Sequence, residues 1–322
     1  MSGFSEATAV GAISSHTYSA NLQEDWCIGS VPHGGYVTSV IQQAVRQHFA
    51  TTLRKQDQPH TLSLHLEFLR RTQVGPAEII IKDVKLGRQT TTIHVTLRQD
   101  GRDEIVGYIS NINLDLEKGV SFDTHWSINP KCLPVDLKAL ERDADRNWCL
   151  RVNWPFIEFR KATTKVNFYF QRGPEANPSI VDQWVSLANG EGWTNESIGF
   201  VVDIFPQIIE SFILRDLASQ QPGFEDLSFD EKMNELQKRA RMWYPTLLLN
   251  LDMKKALPAA GVKWLFVRLQ AKSIKNGRYD LEIIVQDAAG ELVALSHHVC
   301  MAVSADRNLA ARRKVGDGQS KL

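Results

Sequence analysis

The amino-acid sequence predicts an α+β protein built from two copies of one unit, each a long helix followed by antiparallel strands. Three observations lead to this prediction. The chain has 322 residues, and at roughly 150 residues per domain this length suggests two domains. A helical pattern of apolar residues occurs twice. A strand pattern with similar turn residues follows each occurrence in the same order, which indicates a duplication.

Each unit contains a long amphipathic helix. Residues 35–41 (Gly-Tyr-Val-Thr-Ser-Val-Ile) resemble residues 199–205 (Gly-Phe-Val-Val-Asp-Ile-Phe), shifted by 164 positions. Apolar residues then recur three and four positions apart, which is typical of a helix with a wide apolar face. These positions are 36, 37, 40, 41, 44, 45 and 49 in the first copy and 200, 201, 204, 205, 208, 209 and 213 in the second. Pro206 is expected to kink the second helix or to lie near an irregular turn.

A strand is expected after each helix. Residues 61–68 (Thr-Leu-Ser-Leu-His-Leu-Glu-Phe) and 246–253 (Thr-Leu-Leu-Leu-Asn-Leu-Asp-Met) carry apolar side chains at every second position. This period predicts half-buried strands. The shift here is 185, so the second copy contains about 21 additional residues, expected around Gln220–Arg241 and partly helical over 229–239.

Turn residues mark the later strands of each unit. Gly-Arg pairs occur at 87–88 and 277–278 between segments that resemble strands. Hairpin turns are expected at Gly101, after Gln99-Asp100, and at Gly290, after Gln286-Asp287. Gln99 is in phase with the apolar alternation of its strand and Gln286 is not, so a β-bulge in one strand would reconcile them.

These patterns divide the chain into four parts. The first unit is assigned to residues 1–128 and the second to 151–306, which opens with strands at 156–160 and 183–185. Residues 129–150, with a segment rich in charge and proline, are assigned as the linker, and residues 307–322 form a tail.

Composition excludes several classes of protein. Apolar residues make up 43% of the chain, and 37 basic residues balance 37 acidic ones, so the basic excess of a nucleic-acid-binding protein is missing. No apolar run reaches the roughly 18 residues of a membrane span, and no signal peptide is recognised. The four cysteines are scattered, which predicts reduced thiols in an intracellular protein. Motifs for nucleotide binding, zinc hydrolysis and serine hydrolysis are missing, and neither a metal nor another cofactor is expected.

The C-terminal tripeptide Ser320-Lys321-Leu322 predicts a cellular location. A free Ser-Lys-Leu terminus is recognised by the peroxisomal import receptor, so we expect that receptor as a partner and the peroxisomal matrix as the location. Acyl-CoA chemistry takes place in peroxisomes, and this location therefore favours a thioester substrate.

One difference between the two copies indicates the reactive site. Ser39 and Thr61 of the first copy correspond to Asp203 and Thr246 of the second, and Gln99 corresponds to Gln286. Only the second set contains an ionisable group. Asp203 lies on the flank of the apolar face, where partial desolvation raises a carboxyl pKa and suits it to proton transfer. The alternative is a structural role for Asp203 at a helix edge and for Gln286 at a strand end.

The segments Trp26-Cys27-Ile28-Gly29 and Pro32-His33-Gly34-Gly35-Tyr36 lead into the first helix. Together with the repeated unit, they resemble the fungal thioesterase-like branch of the double-hotdog acyl-CoA thioesterase II family, from about residue 17 to 304. The resemblance implies a tandem (double) hotdog fold, with each long helix wrapped by an antiparallel sheet and the two sheets continuous. Hotdog units commonly pair, so the chain would contain one intramolecular pair, and a homo-oligomer of such chains is compatible with the fold.

The resemblance also implies a reaction and its residues. An Asp, a Thr and a Gln of the family activate water against an acyl-CoA thioester, and they match Asp203, Thr246 and Gln286 here. The insertion makes Thr246 the least secure match. The site residues for substrate binding are His33, Gly34, Gly35 and Tyr36, with a structural histidine as the alternative at His33. Arg70, Arg71, Lys254 and Lys255 are either ligands of the CoA phosphates or solvated charges.

Two other functions remain open. A hotdog hydratase or dehydratase, or another biosynthetic enzyme acting on a thioester or polyketide-type intermediate, would also use acyl thioesters. Hydratases of this fold carry a His five residues after the Asp, and Ile208 occupies that position after Asp203. The third candidate is a non-catalytic acyl-CoA-binding protein.

Overall fold

The computed structural model of the protein describes residues 2–154, 156–173, 177–205, 207–228, 231–232, 234–236 and 242–310. Within these ranges the strands form one antiparallel sheet of 14 strands and two short two-stranded sheets. None of the helices in this described part is long and apolar enough to cross a lipid bilayer.

The helices and strands have the following bounds. The helices are α1 (Phe4–Ala7), α2 (Gly34–Ala50), α3 (Leu137–Leu140), α4 (Ile198–Val201), α5 (Ile209–Gln220) and α6 (Asp306–Leu309). Strands β1 to β9 are Val10–Ala12, Thr17–Leu22, Cys27–Ile28, Val31–Pro32, His60–Phe68, Gly75–Lys85, Thr91–Gln99, Arg102–Ile112 and Trp148–Leu150. Strands β10 to β18 are Val166–Gln171, Ile180–Leu187, Met242–Trp243, Thr246–Met253, Leu265–Gln270, Ile274–Lys275, Arg278–Asp287, Leu292–Met301 and Val303–Ser304.

The strand order of the large sheet confirms the duplication. It runs β1-β2-β6-β7-β8-β5-β13-β17-β16-β14-β11-β10-β9, with β15 paired to β16. Reading outward from the central β5–β13 pair, the order β8, β7, β6, β2 on one side matches β17, β16, β14, β11 on the other. β5 pairs directly with β13, Leu66 opposite Leu249, so the sheets of the two units are continuous as expected.

Corresponding bulges align the two units residue by residue. The β5–β8 register shifts between Thr61 and Ser63, and the β13–β17 register shifts between Thr246 and Leu248. Both threonines therefore occupy the same place before a bulge. The structure supports the predicted correspondence of Thr61 with Thr246 despite the insertion between helix and strand.

The expected bulge does not reconcile Gln99 with Gln286. One bulge follows the Leu97–Ile105 pair and another follows the Val285–Ala294 pair, so both units carry it at the same point. Leu97 therefore corresponds to Val285, and the residue after Val285, which is Gln286, corresponds to Arg98. The predicted equivalence of the two glutamines is wrong by one position, because the shared Gln-Asp letters precede turns of different length.

The predicted helices differ in regularity. All seven apolar positions of the first are buried on one face of α2. The second is interrupted, because α4 ends at Val201, turn residues follow, and α5 begins only at Ile209. Pro206, in this interval, lies outside the described residues, as do residues 229–230, 233 and 237–241 of the insertion predicted near 220–241.

α2 and α4 cross at the two glycines that sequence repetition aligns. A Cβ atom on Gly35 would lie 2.8 Å from the carbonyl oxygen of Gly199, and one on Gly199 would lie 2.6 Å from Thr38 Cγ2. Ser39 Oγ accepts a hydrogen bond from the backbone N–H of Phe200 at 3.1 Å. Ser39, which corresponds to Asp203 in the first unit, therefore bonds α2 to α4 at the point where they cross.

The structure differs from the predicted linker. Residues 129–150 contain α3 and β9, and β9 pairs with β10 at the end of the large sheet. Leu140 and Trp148 pack with Trp184 and Phe266 in a second, smaller core. The segment is ordered because its apolar side chains cover strands of the second unit.

The strand predicted at residues 156–160 is wrong. Residues 156–159 form turns, with Phe156 at φ 57°, and a 3-10 helix follows at Lys161–Lys165. An alternating pattern of five residues is too short to distinguish a strand from a turn, and of the apolar residues in this turn Phe159 lines a cavity. The strand predicted at 183–185 is present within β11.

Candidate active site

Asp203 lies just after α4, against the first turn of α2. Its side chain is 4% exposed. A Cβ atom on Gly34 would lie 2.8 Å from Asp203 Oδ2, and one on Gly35 would lie 2.7 Å from Asp203 Cβ. The two glycines are therefore required because the carboxylate approaches the helix backbone closely.

Thr246, the first residue of β13, contacts the same carboxylate. Its hydroxyl donates a hydrogen bond of 2.8 Å to Asp203 Oδ1. The following bulge places Leu247 beside the cavity, 39% exposed, although the sequence pattern predicts it to be buried. Two residues assigned from the sequence, 43 positions apart, thus meet in the structure.

The surroundings of Asp203 favour its neutral form. Burial raises its pKa from 3.8 to about 7, and the hydrogen bonds from Thr246 and from the backbone of Gly35 lower it in part. A carboxylate with a pKa near neutrality can accept and release a proton at cellular pH. The burial expected from its position on the apolar flank is present.

A cavity of about 260 Å³ opens beside Asp203 and Thr246. Most of its wall is apolar, as in sites for acyl groups and other small molecules. The remaining lining residues are Ile28, Val31, Pro32, His33, Gly34, Phe68, Arg70, Arg71, Thr72, Phe159, Arg160, Gln207, Met242, Trp243, Tyr244, Pro245 and Leu247.

His33 has a structural role at the start of α2 and also lies on the cavity wall, so it agrees with both interpretations made from the sequence, a structural histidine and a substrate-binding one. It caps α2, and its Nδ1 accepts the backbone N–H of Gly35 at 3.1 Å. Nδ1 therefore carries no proton in this geometry, and its 3.7 Å separation from Asp203 Oδ2 is not a hydrogen bond. Burial lowers the pKa of His33 to about 4, so the ring is neutral. The same residue lines the cavity, as does Gly34.

Tyr36 and Gly35 do not line the cavity, contrary to the substrate-binding role assigned to them. Tyr36 is fully buried, its hydroxyl donates to the carbonyl of Ala7 at 2.8 Å, and its ring stacks on Trp26. Gly35 faces the helix crossing. Both residues lie on the side of α2 that packs into the core, whereas the cap residue His33 and the first helical residue Gly34 line the cavity.

Gln286 is not brought to Asp203. Its Nε2 donates to the carbonyl of Gly290 at 2.8 Å, within the hairpin turn that follows it. An amide that does line the cavity is Gln207, four positions after Asp203, and its buried Oε1 has no hydrogen-bond partner among the described residues. The structural alternative, a strand-end residue beside a turn, describes Gln286.

His298 is a neighbour of Asp203 that the sequence interpretation missed. It lies on β17, is fully buried, and its Nδ1 is 3.5 Å from Asp203 Oδ1. The period of two along this strand, with Ala294, Ser296, His298 and Cys300 all buried, could have identified it.

The basic residues divide into two groups. Arg70 and Arg71 line the cavity, and Arg71 donates to the carbonyl of Asn308 at 2.9 Å. Lys254 pairs with Asp252, and Lys255 pairs with Asp287 and Glu291. The positive charges of these two lysines are therefore balanced by neighbouring carboxylates.

A different cluster of potential metal ligands lies at the other end of α2. His48 Nε2 and His16 Nε2 contact the two oxygens of Asp83 at 3.0 and 3.3 Å. His48 is 14 residues after Gly34, about 21 Å along the helix. These contacts pair the imidazoles with the carboxylate, and the cluster is separate from the cavity.

Two family models match most of the chain. One, described as an acyl-CoA thioesterase N-terminal domain, matches residues 22–112. The other, described as an acyl-CoA thioesterase C-terminal domain, matches residues 132–302 and so includes most of the predicted linker.

Similar proteins cover almost the whole chain. The thioesterase-like protein TwmA of Talaromyces wortmannii is 38% identical over 99% of this chain and 97% of its own length. A putative thioesterase II from Thermobifida fusca superposes with a TM-score of 0.68 at 21% identity, covering 94% of this chain and 98% of that one. A protein with a hotdog fold from Alicyclobacillus acidocaldarius gives 0.67 at 14% identity, with the same coverage. The structural matches confirm the double-hotdog fold.

Proposed function

We propose that this chain, which belongs to the acyl-CoA thioesterase family and is a thioester hydrolase, cleaves an acyl-CoA. The attacking water molecule is activated by Asp203. The observation that carries this proposal is the buried carboxylate on the cavity wall, hydrogen-bonded by Thr246, with a pKa near neutrality. At neutral pH about half of such carboxyl groups are ionised and able to accept a proton, and each is a stronger base than an ordinary carboxylate.

The proposed reaction is direct hydrolysis. Water attacks the thioester carbonyl, its proton passes to Asp203, a C–O bond forms, and the C–S bond breaks. The proton then leaves Asp203 for the CoA thiolate, so that the products are a free acid and CoA. Thr246 orients the carboxylate, and Oε1 of Gln207, to which no described residue donates, is a candidate acceptor for the second hydrogen of the water.

The start of α2 provides a place for the carbonyl oxygen. The first backbone N–H groups of a helix have no intrahelical acceptor and carry positive partial charge. Gly34, the first residue of α2, lines the cavity next to Asp203. Its N–H would stabilise negative charge that develops on the thioester oxygen.

The cavity chemistry supports direct hydrolysis over an acyl-enzyme. None of its described lining residues is a serine or a cysteine. Cys300 approaches Thr246 Oγ1 at 3.7 Å, but complete burial raises the pKa of its thiol well above the ordinary value. A thiol that stays protonated is a poor nucleophile.

Charge at the cavity suits the CoA portion of the substrate. Arg70 and Arg71 line the cavity beside its apolar wall, and guanidinium groups bind phosphate well. We therefore place the acyl group against Phe68, Phe159 and Leu247 and the CoA phosphates toward the two arginines.

The test is release of free thiol from a panel of acyl-CoA esters, measured with a thiol-reactive chromophore. The wild type should release CoA, and Asp203→Asn should reduce kcat by about 100-fold or more. Gln286→Ala is the matched control and should retain activity, since the Gln286 amide donates to its own turn and does not line the cavity. Binding without turnover would favour an acyl-CoA-binding protein, and hydration of an enoyl-CoA without thiol release would favour a hydratase.

We also propose import into peroxisomes through Ser320-Lys321-Leu322, which lie outside the described residues. Deleting these residues should move a tagged protein from peroxisomes to the cytosol. Unchanged localisation after the deletion would contradict this proposal.

A further inference from the structure

His298 is held in one tautomer by a chain of hydrogen bonds. The hydroxyl of Ser296 donates its single proton to the backbone carbonyl of Asn250, which can only accept. Ser296 Oγ lies 2.9 Å from His298 Nε2 and must therefore accept from it. Nε2 carries the proton of the neutral ring, and Nδ1 presents a bare lone pair.

That lone pair faces the reactive carboxylate. His298 Nδ1 is buried, has no hydrogen-bond partner in the part of the chain that the structure describes, and lies 3.5 Å from Asp203 Oδ1. Two acceptors that face each other without a proton disfavour an ionised carboxylate, whereas a protonated carboxyl could donate directly to Nδ1. Hydrogen bonds of this kind are often long in a free enzyme and shorten when the reaction proceeds.

The duplication shows that a histidine is not needed here for packing. In the first unit Ile93 and Leu64 are both paired with Ile109, and in the second Leu281 and Leu249 are both paired with His298. An isoleucine thus fills this position in the first unit. The second unit replaces it with a buried polar ring, and only that unit carries the aspartate.

We propose that His298 is a positioning residue, which through its bare Nδ1 holds on Asp203 the proton taken from the attacking water. The water O–H bond breaks as its oxygen attacks the thioester carbonyl, and the proton joins the carboxylate. Asp203 Oδ1–H then donates to Nδ1 until the C–S bond breaks and the proton passes to the departing sulfur. His298 does not line the cavity and acts on the substrate only through Asp203.

The other titratable groups that face Asp203 stay uncharged near neutral pH. His33 faces Oδ2 with its pKa lowered to about 4 by burial. Cys300 and Tyr279 interact with Asp203 from β17 and β16, and burial raises the pKa of each. Burial and nearby His297 lower the pKa of His298 to about 3. The shared proton is therefore confined to Asp203 and His298.

The inference rests on the proposed function, but its first test does not require turnover. In protein with ¹⁵N-labelled histidine, nitrogen chemical shifts should show that His298 is protonated on Nε2 and bare on Nδ1. In Ser296→Ala, Nε2 loses its acceptor, so the tautomer with Nδ1–H, which can donate to Asp203, should become populated. A wild type protonated on Nδ1 would overturn the proposal even if the protein proved inactive on every thioester.

The second test is the pH dependence of kcat/KM. Ser296→Ala should move the acidic limb to lower pH by about one unit, because a donor at Nδ1 stabilises the ionised carboxylate. Its plateau rate should fall as the base weakens, with KM unchanged. An acidic limb that coincides with that of the wild type would contradict the role of the tautomer.

His298→Ile reproduces the residue of the first unit and separates function from packing. We expect a folded protein with kcat reduced by about tenfold or more, unchanged KM, and no further movement of the acidic limb when Ser296→Ala is added. The matched control is His297→Ala, on the exposed face of the same strand, which should retain wild-type kinetics. Wild-type kcat in His298→Ile would overturn the proposal.

Discussion

Replacing Asp203 with asparagine should reduce kcat by about 100-fold or more and, at the same time, stabilise the protein at alkaline pH. The carboxylate is 4% exposed and receives hydrogen bonds from Thr246 and, in part, from the backbone of Gly35. These contacts offset only part of the cost of burying a charge. Asparagine keeps an oxygen that accepts from Thr246 and carries no charge at any pH.

The size of the effect follows from the pKa of Asp203. Its ordinary value is 3.8 and burial raises it to about 7, a difference of about three pH units, each of which corresponds to about 1.36 kcal/mol. Because the folded protein holds this proton more tightly than the unfolded chain, the contribution to the free energy of unfolding is full below pH 4. It is lost as the pH rises through about 7, by about 4 kcal/mol in total.

Denaturation with urea, followed by tryptophan fluorescence, should measure this difference. Between pH 5 and pH 8, Asp203→Asn should gain about 2.5 kcal/mol over the wild type. Titration of all other groups occurs in both proteins and cancels in the comparison. If the difference between the two proteins stays constant over this range, the carboxylate is not desolvated in the folded state and the reasoning is refuted.

Three further outcomes are expected. First, wild-type kcat/KM should rise about tenfold per pH unit below pH 7 and level off above it, and a flat profile from pH 5 to pH 8 would exclude Asp203 as the base. Second, Thr246→Val removes the donor to Asp203 Oδ1, so it should lower kcat and move the acidic limb to higher pH; Thr246→Ser should retain both, and equal profiles for the two variants would argue against the hydrogen bond. Third, Gly35→Ala places a Cβ atom 2.8 Å from the carbonyl oxygen of Gly199, so thermal unfolding should show a loss of about 1–3 kcal/mol; an unchanged Tm would contradict the close helix crossing.

Repetition within the sequence predicted most of the fold correctly. The alternation of residues 61–68 and 246–253 identified β5 and β13, because successive side chains of a half-buried strand point alternately to the core and to solvent, independently of the rest of the chain. Apolar spacing identified α2 for the same kind of reason. It did not reveal the break between α4 and α5, since the side chains of an interrupted helix can remain buried at the same positions.

The site was predicted in part. Asp203 was assigned from its difference from Ser39 in the first copy, Thr246 was assigned from the family resemblance, and the structure brings the two side chains together. Gln286 was assigned from letters shared before a turn, and its amide is bonded to that turn. His298 was missed because its counterpart, Ile109, becomes visible only when the strand register aligns β8 with β17.

Periodicity and repetition are local properties of a chain, and they were enough to predict the duplicated architecture, the two helix–strand units and the unit that carries the carboxylate. The side chains that meet this carboxylate depend instead on how distant segments pack. Thr246 and His298 reach Asp203 from two neighbouring strands, and Gly34 reaches it from the other unit. Their distances depend on the crossing of α2 with α4 and on the bulge at the start of β13, which are set by packing between segments far apart in the sequence.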